Sequence, residues 1–110
     1  MRHLLALAAL VLAPCQAAAD PAAAVRAEGV VRGGELAERW CSECHLISPA
    51  GPGGDIGPPF TEMPVEEPAT EAALRGWLFD PHGPMENVEL SNAQISDILV
   101  YIRSIRPAAE

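Results

Sequence analysis

Lysine is absent from this chain of 110 residues, and aromatic side chains make up only 5% of it. Its seven basic residues are all arginines, set against 15 acids, for a formal net charge of −8. Such a field repels phosphates, so a nucleic-acid partner is excluded and a protein partner with a basic patch is favoured. The same acidity also serves to keep a small domain soluble. No apolar run reaches the length that crosses a bilayer. The nearest, residues 4–12, follows Arg2 and is followed by Ala17-Ala18-Ala19. That order of regions reads as a secretory signal peptide over residues 1–19, cleaved before Asp20. Pro14 directly before Cys15 is a poor fit to a lipoprotein cleavage box, which disfavours a lipid anchor there.

Cysteine is scarce too, with three in all. Cys15 leaves with the leader, and the other two stand in Cys41-Ser42-Glu43-Cys44-His45. This is C-x-x-C-H, the attachment site of c-type haem. Two thiols one helical turn apart suit the two vinyl groups of one porphyrin, and the following imidazole suits the iron. A redox dithiol would follow a strand in a βαβ unit, and no alternating β-branched run precedes Trp40. A structural zinc site would need a second cysteine pair that the mature chain lacks. A disulfide closed over two residues would be strained. Haem is the reading that uses all three residues.

Residues 20–110 suffice for one small domain with a marginal core, to which a buried porphyrin would add apolar surface. The Ala-rich residues 20–32 read as a flexible lead-in and residues 33–110 as the domain. Leu36, Ala37, Trp40, Cys41 and Cys44 recur at helical spacing, so a helix is expected from about Arg32, ending at the motif. Gly33 and Gly34 cost it propensity unless something approaches closely there. Residues 45–69 are dense in Gly and Pro, an irregular length that has a reason to exist if it wraps a prosthetic group. A second helix is expected from Thr70, with Leu74, Trp77 and Leu78 on one face and Asp80-Pro81 as its stop. The third has the clearest start. Ser91-x-x-Gln94 fits a capping box, Leu90 and Ile95 a hydrophobic staple. Ile95, Ile98, Leu99, Ile102 and Ile105 then form one stripe, with Arg103 and Arg106 near the negative end. No strand signal competes, so the fold class is all-α.

His45 alone would leave one iron position open. Met85 is the leading second ligand, because Pro81 and Pro84 stiffen its turn and leave little entropy to lose. Met63 and His82 are the other candidates, and core packing is the ordinary role of a methionine. With His45 and Met85 as metal ligands the chain is an electron carrier, not an enzyme. With an open or labile sixth position it would be a haem enzyme or gas sensor using His82.

The chain resembles the small, single-haem class I bacterial cytochromes c from about Gly33 to Ile105. The resemblance rests on Gly33-Gly34-x-Leu36-Ala37 before the motif, on Gly57-Pro58, on Pro84-Met85, and on Asp97-Ile98-Leu99-Val100-Tyr101-Ile102. It implies a cytochrome c fold, about three main helices around one covalent haem c. It implies that the Pro58 carbonyl accepts a hydrogen bond from His45, and that Gly33 lets the first and last helices cross closely beside Tyr101. Trp77 resembles an aromatic that lines the haem edge, with packing as its other role. Periplasmic electron transfer follows from the resemblance, as a free shuttle or as the small subunit of a dehydrogenase. One departure is plain: the lysine ring found around the haem edge of some relatives is missing, so the docking partner should differ.

Overall fold

The computed structural model describes residues 17–81 and 83–107. Most of the expected leader, including Cys15, lies outside the described residues, as does His82. Three α-helices and one 3-10 turn make up the described chain, which contains no strand.

The first helix, α1, runs Pro21–Trp40 and starts well before Arg32. The Asp20 carboxylate accepts from the Ala22 N–H at 3.0 Å, and Pro21 occupies the first turn, where its missing N–H costs nothing. The segment expected as a flexible lead-in is therefore helical. Residues 21–28 are exposed throughout, so the cap and the alanines carry this stretch rather than burial.

The last helix, α3, runs Asn92–Ile105 and has both halves of the capping box. Ser91 Oγ accepts from the Gln94 N–H at 3.2 Å, and the Gln94 side chain accepts from the Ser91 N–H at 2.8 Å. Ile95, Ile98, Leu99 and Ile102 are each no more than 1% exposed. At about 1.5–3 kcal/mol per buried aliphatic side chain, this stripe is the main source of the core's stability. Ala37, Ile47, Phe60, Val65, Leu74 and Leu90 complete the core.

Helices α1 and α3 form the principal packing of the fold. They touch at Gly33, where an added Cβ would lie 2.1 Å from Asp97 O and 2.7 Å from Tyr101 Cβ. A hydrogen atom is all the crossing admits. Arg32 reinforces it through a fork onto Asp97, at 2.8 and 3.0 Å.

Helix α2 spans Pro68–Phe79, two residues earlier than Thr70, and Thr70 Oγ1 donates to Glu67 O at 2.8 Å. Three arginines bind this half of the chain to α3. Arg103 donates to Val65 O at 3.1 Å and to the Glu71 carboxylate; Arg106 donates to Met63 O and pairs with Glu66. Arg75 bridges Glu71 and Ser96. Arg103 and Arg106 thus act by holding carbonyls of a loop, beyond any effect on the helix end.

Candidate functional site

Helix α1 ends by tightening into the motif. The N–H groups of Cys41 and Ser42 both reach Ala37 O, and those of Cys44 and His45 both reach Cys41 O. This compact turn holds the two cysteines side by side, both half-buried and neither in a disulfide. Burial, and then the neighbouring Cys44, push the Cys41 thiol up to about 11.

The chain after the motif folds back over it. Gly54 N–H donates to Ser42 O, Gly57 N–H to Cys44 O, and Phe60 N–H to Leu46 O, all at 2.8–2.9 Å. The Gly-rich segment is ordered by the backbone of the motif itself. Gly57 lies against the face of His45, where a Cβ would stand 2.3 Å from the ring's Cε1. Phe60, buried, tilts against the same ring with centroids 5.6 Å apart.

His45 is 7% exposed, the one buried polar side chain among the described residues. Its Nδ1 lies 2.8 Å from Pro58 O. A carbonyl can only accept, so Nδ1 carries the proton and Nε2 keeps a free lone pair. Among the described residues Nε2 has no hydrogen-bond partner, and no sealed-off polar side-chain atom is left unsatisfied. An imidazole fixed in ring plane and tautomer, with its basic nitrogen left without a hydrogen-bond partner among the described residues, is the donor that a haem iron requires. The two adjacent thiols complete the fit. No cluster of three His, Cys, Asp or Glu among the described residues offers a bare ion a ligand set.

The remaining candidates are less closely placed. Met85 is 40% exposed in the turn before α3, so its thioether is accessible for ligation. Met63 packs against the core and its carbonyl is held by Arg106, which gives it an ordinary structural role. Trp77, 53% exposed, stands on α2 outside the buried core. Ile56 and Phe79 are also exposed apolar side chains, at 73% and 63%. Sequence reasoning passed over Phe60 and Tyr101 as groups near the ligand. Tyr101 donates its hydroxyl to Ile47 O at 3.0 Å, two residues beyond His45. Only the placement of Tyr101 in the final helix hinted at this.

No family model matches the sequence. A curated protein of Bradyrhizobium diazoefficiens, cytochrome c-552, is 32% identical over 93 residues, covering 83% of this chain and 88% of that protein. Among solved structures, the c-type cytochrome SorU from Sinorhizobium meliloti superposes with a TM-score of 0.56 at 23% identity, over 72% of this chain and 92% of that one.

Proposed function

Because the chain belongs to the bacterial c-type cytochromes, we propose that it carries single electrons between periplasmic proteins, on a haem ligated by His45 and Met85. Family membership brings a covalently bound haem c with its iron, and electron transfer as the general activity. The iron supplies a reversible one-electron couple whose potential a thioether raises relative to a second imidazole.

The observation that carries this reading is the His45–Pro58 contact at 2.8 Å, within a ring seat formed by Gly57 and Phe60. Cys41 and Cys44 anchor the prosthetic group by thioether bonds. Pro58 fixes the proton on Nδ1 and so leaves Nε2 as donor. Met85, in a turn stiffened by Pro81 and Pro84, would supply a thioether ligand with little entropy to lose. Trp77, half-exposed on α2, would shield the haem edge.

A signal peptide over residues 1–19 would carry the protein to the periplasm, to serve there as a free shuttle or as the small subunit of a dehydrogenase. Its partner presents a basic surface. Apart from histidines, every charged side chain in residues 41–67 and 80–91 is acidic, so the loops around the motif carry negative charge alone.

The test is the optical spectrum of the periplasmically matured protein, oxidised and reduced, with Met85→Ala beside it. A weak far-red thioether-to-Fe(III) band that vanishes in the variant, with no carbon monoxide binding in the parent, is the expected result. A high-spin parent that binds carbon monoxide readily would overturn the carrier reading.

A further inference from the structure

Helices α1 and α3 meet at the Gly33 crossing, but the loop that seats His45 lies beyond it. Among the described residues, one side-chain hydrogen bond runs from α3 to residues 41–60, from the Tyr101 hydroxyl to Ile47 O at 3.0 Å. Ile47 is buried, and the preceding residue, Leu46, accepts from Phe60 N–H and bridges to Gly53. Phe60 and Pro58 in turn hold the His45 ring. The Tyr101 ring lies over Gly34, where an added Cβ would be 3.2 Å from Cε2.

We infer that the Tyr101 hydroxyl is a positioning group for the axial ligand, setting through Ile47 the geometry of the His45–Pro58 hydrogen bond. The inference rests on His45 as the iron ligand. Without the hydroxyl, a buried carbonyl loses its partner and the strut between Tyr101 and the ring seat relaxes. The Nδ1–H bond to Pro58 then weakens, the imidazole becomes a poorer donor, and Fe(III) loses stabilisation.

Tyr101→Phe keeps the ring at the crossing and removes only the donor. In the reduced holoprotein the His45 Nδ1–H should exchange with solvent roughly tenfold faster, as loss of about one hydrogen bond allows, and the midpoint potential should rise. Ile105→Val, which trims one methyl from the same helix and leaves the Tyr101 hydroxyl in place, should leave both at parent values. Tyr101 is the only tyrosine in the chain, so growth on fluorotyrosine alters this hydroxyl alone. A more acidic donor should slow the exchange and lower the potential, an arm that does not depend on the Phe variant folding. Exchange and potential unchanged in both proteins, with only thermal stability altered, would overturn the inference. A parent spectrum without low-spin histidine ligation would instead overturn the ligand assignment, and is read separately.

Discussion

Gly33 and Asp97 are in backbone contact: a Cβ on the first would stand 2.1 Å from the carbonyl oxygen of the second. Two effects oppose each other when Gly33 becomes alanine. Helix propensity gains about 1 kcal/mol. Separating two packed backbones costs more, because the intruded atom belongs to a helix and cannot swing aside. Gly33→Ala should lose at least about 2 kcal/mol in urea unfolding of the holoprotein. Gly76 on α2 has nothing within 4 Å of an added Cβ, so Gly76→Ala should gain about 0.5–1 kcal/mol. The same substitution in two helices should change stability in opposite directions.

Gly57→Ala should act on the ligand rather than on the core. Its Cβ would fall 2.3 Å from His45 Cε1 and 2.6 Å from Nδ1, so the ring must leave its seat and give up Pro58. The expected result is a lower yield of haem-loaded protein with a reduced low-spin fraction, read by electron paramagnetic resonance.

Glu71 makes the fold sensitive to acid. Its hydrogen bond from Arg103, with that from Arg75, holds the carboxyl below its usual value of 4.5, against a smaller opposing effect of burial. A carboxylate depressed in the folded state stabilises it fully above the unfolded value and loses that contribution as pH falls through the folded one. The stability difference between the parent and Glu71→Gln should be constant above pH about 5 and shrink steadily below 4.5. Chemical unfolding at a series of pH values reads it directly.

The acid excess should be visible in kinetics with small redox reagents. Oxidation by a cationic complex should slow as salt is added, and oxidation by an anionic complex should accelerate, since the Debye length falls from about 30 Å at 0.01 M to about 3 Å at 1 M. Stopped-flow rates across that range check the sign. Equal salt responses for the two reagents would mean that the acidic loops do not govern approach to the haem.

What the sequence made legible was local. Ser91 and Gln94 lie three residues apart, and the capping box they form needs no knowledge of the rest of the chain. The motif at residues 41–45 is as compact. Gly33 was readable only as a cost that demanded a close neighbour; the resemblance supplied that neighbour. The start of α1 was missed because burial was the signal sought. Its first turns bury nothing, and Asp20 with Pro21 sets them. The bonds from Arg103 and Arg106 to loop carbonyls were also hidden. A backbone oxygen has no signature in sequence, and an arginine near a helix end is explained equally well by the dipole. Tyr101 and Ile47, 54 positions apart, share no pattern that either one announces.

The clasp between α1 and α3 has a consequence for timing. Arg32 and Asp97 are 65 positions apart, so the crossing cannot close until nearly the whole chain is available to fold. Until then the motif is a short peptide with two ordinary thiols. Once the fold closes without its prosthetic group, Cys41 titrates near 11 and is almost wholly protonated at neutral pH, a poor nucleophile. Alkylation of Cys41 in the folded apoprotein should accordingly be about a hundredfold slower than in denaturant. Chain order itself therefore opens an interval for covalent modification before folding ends it.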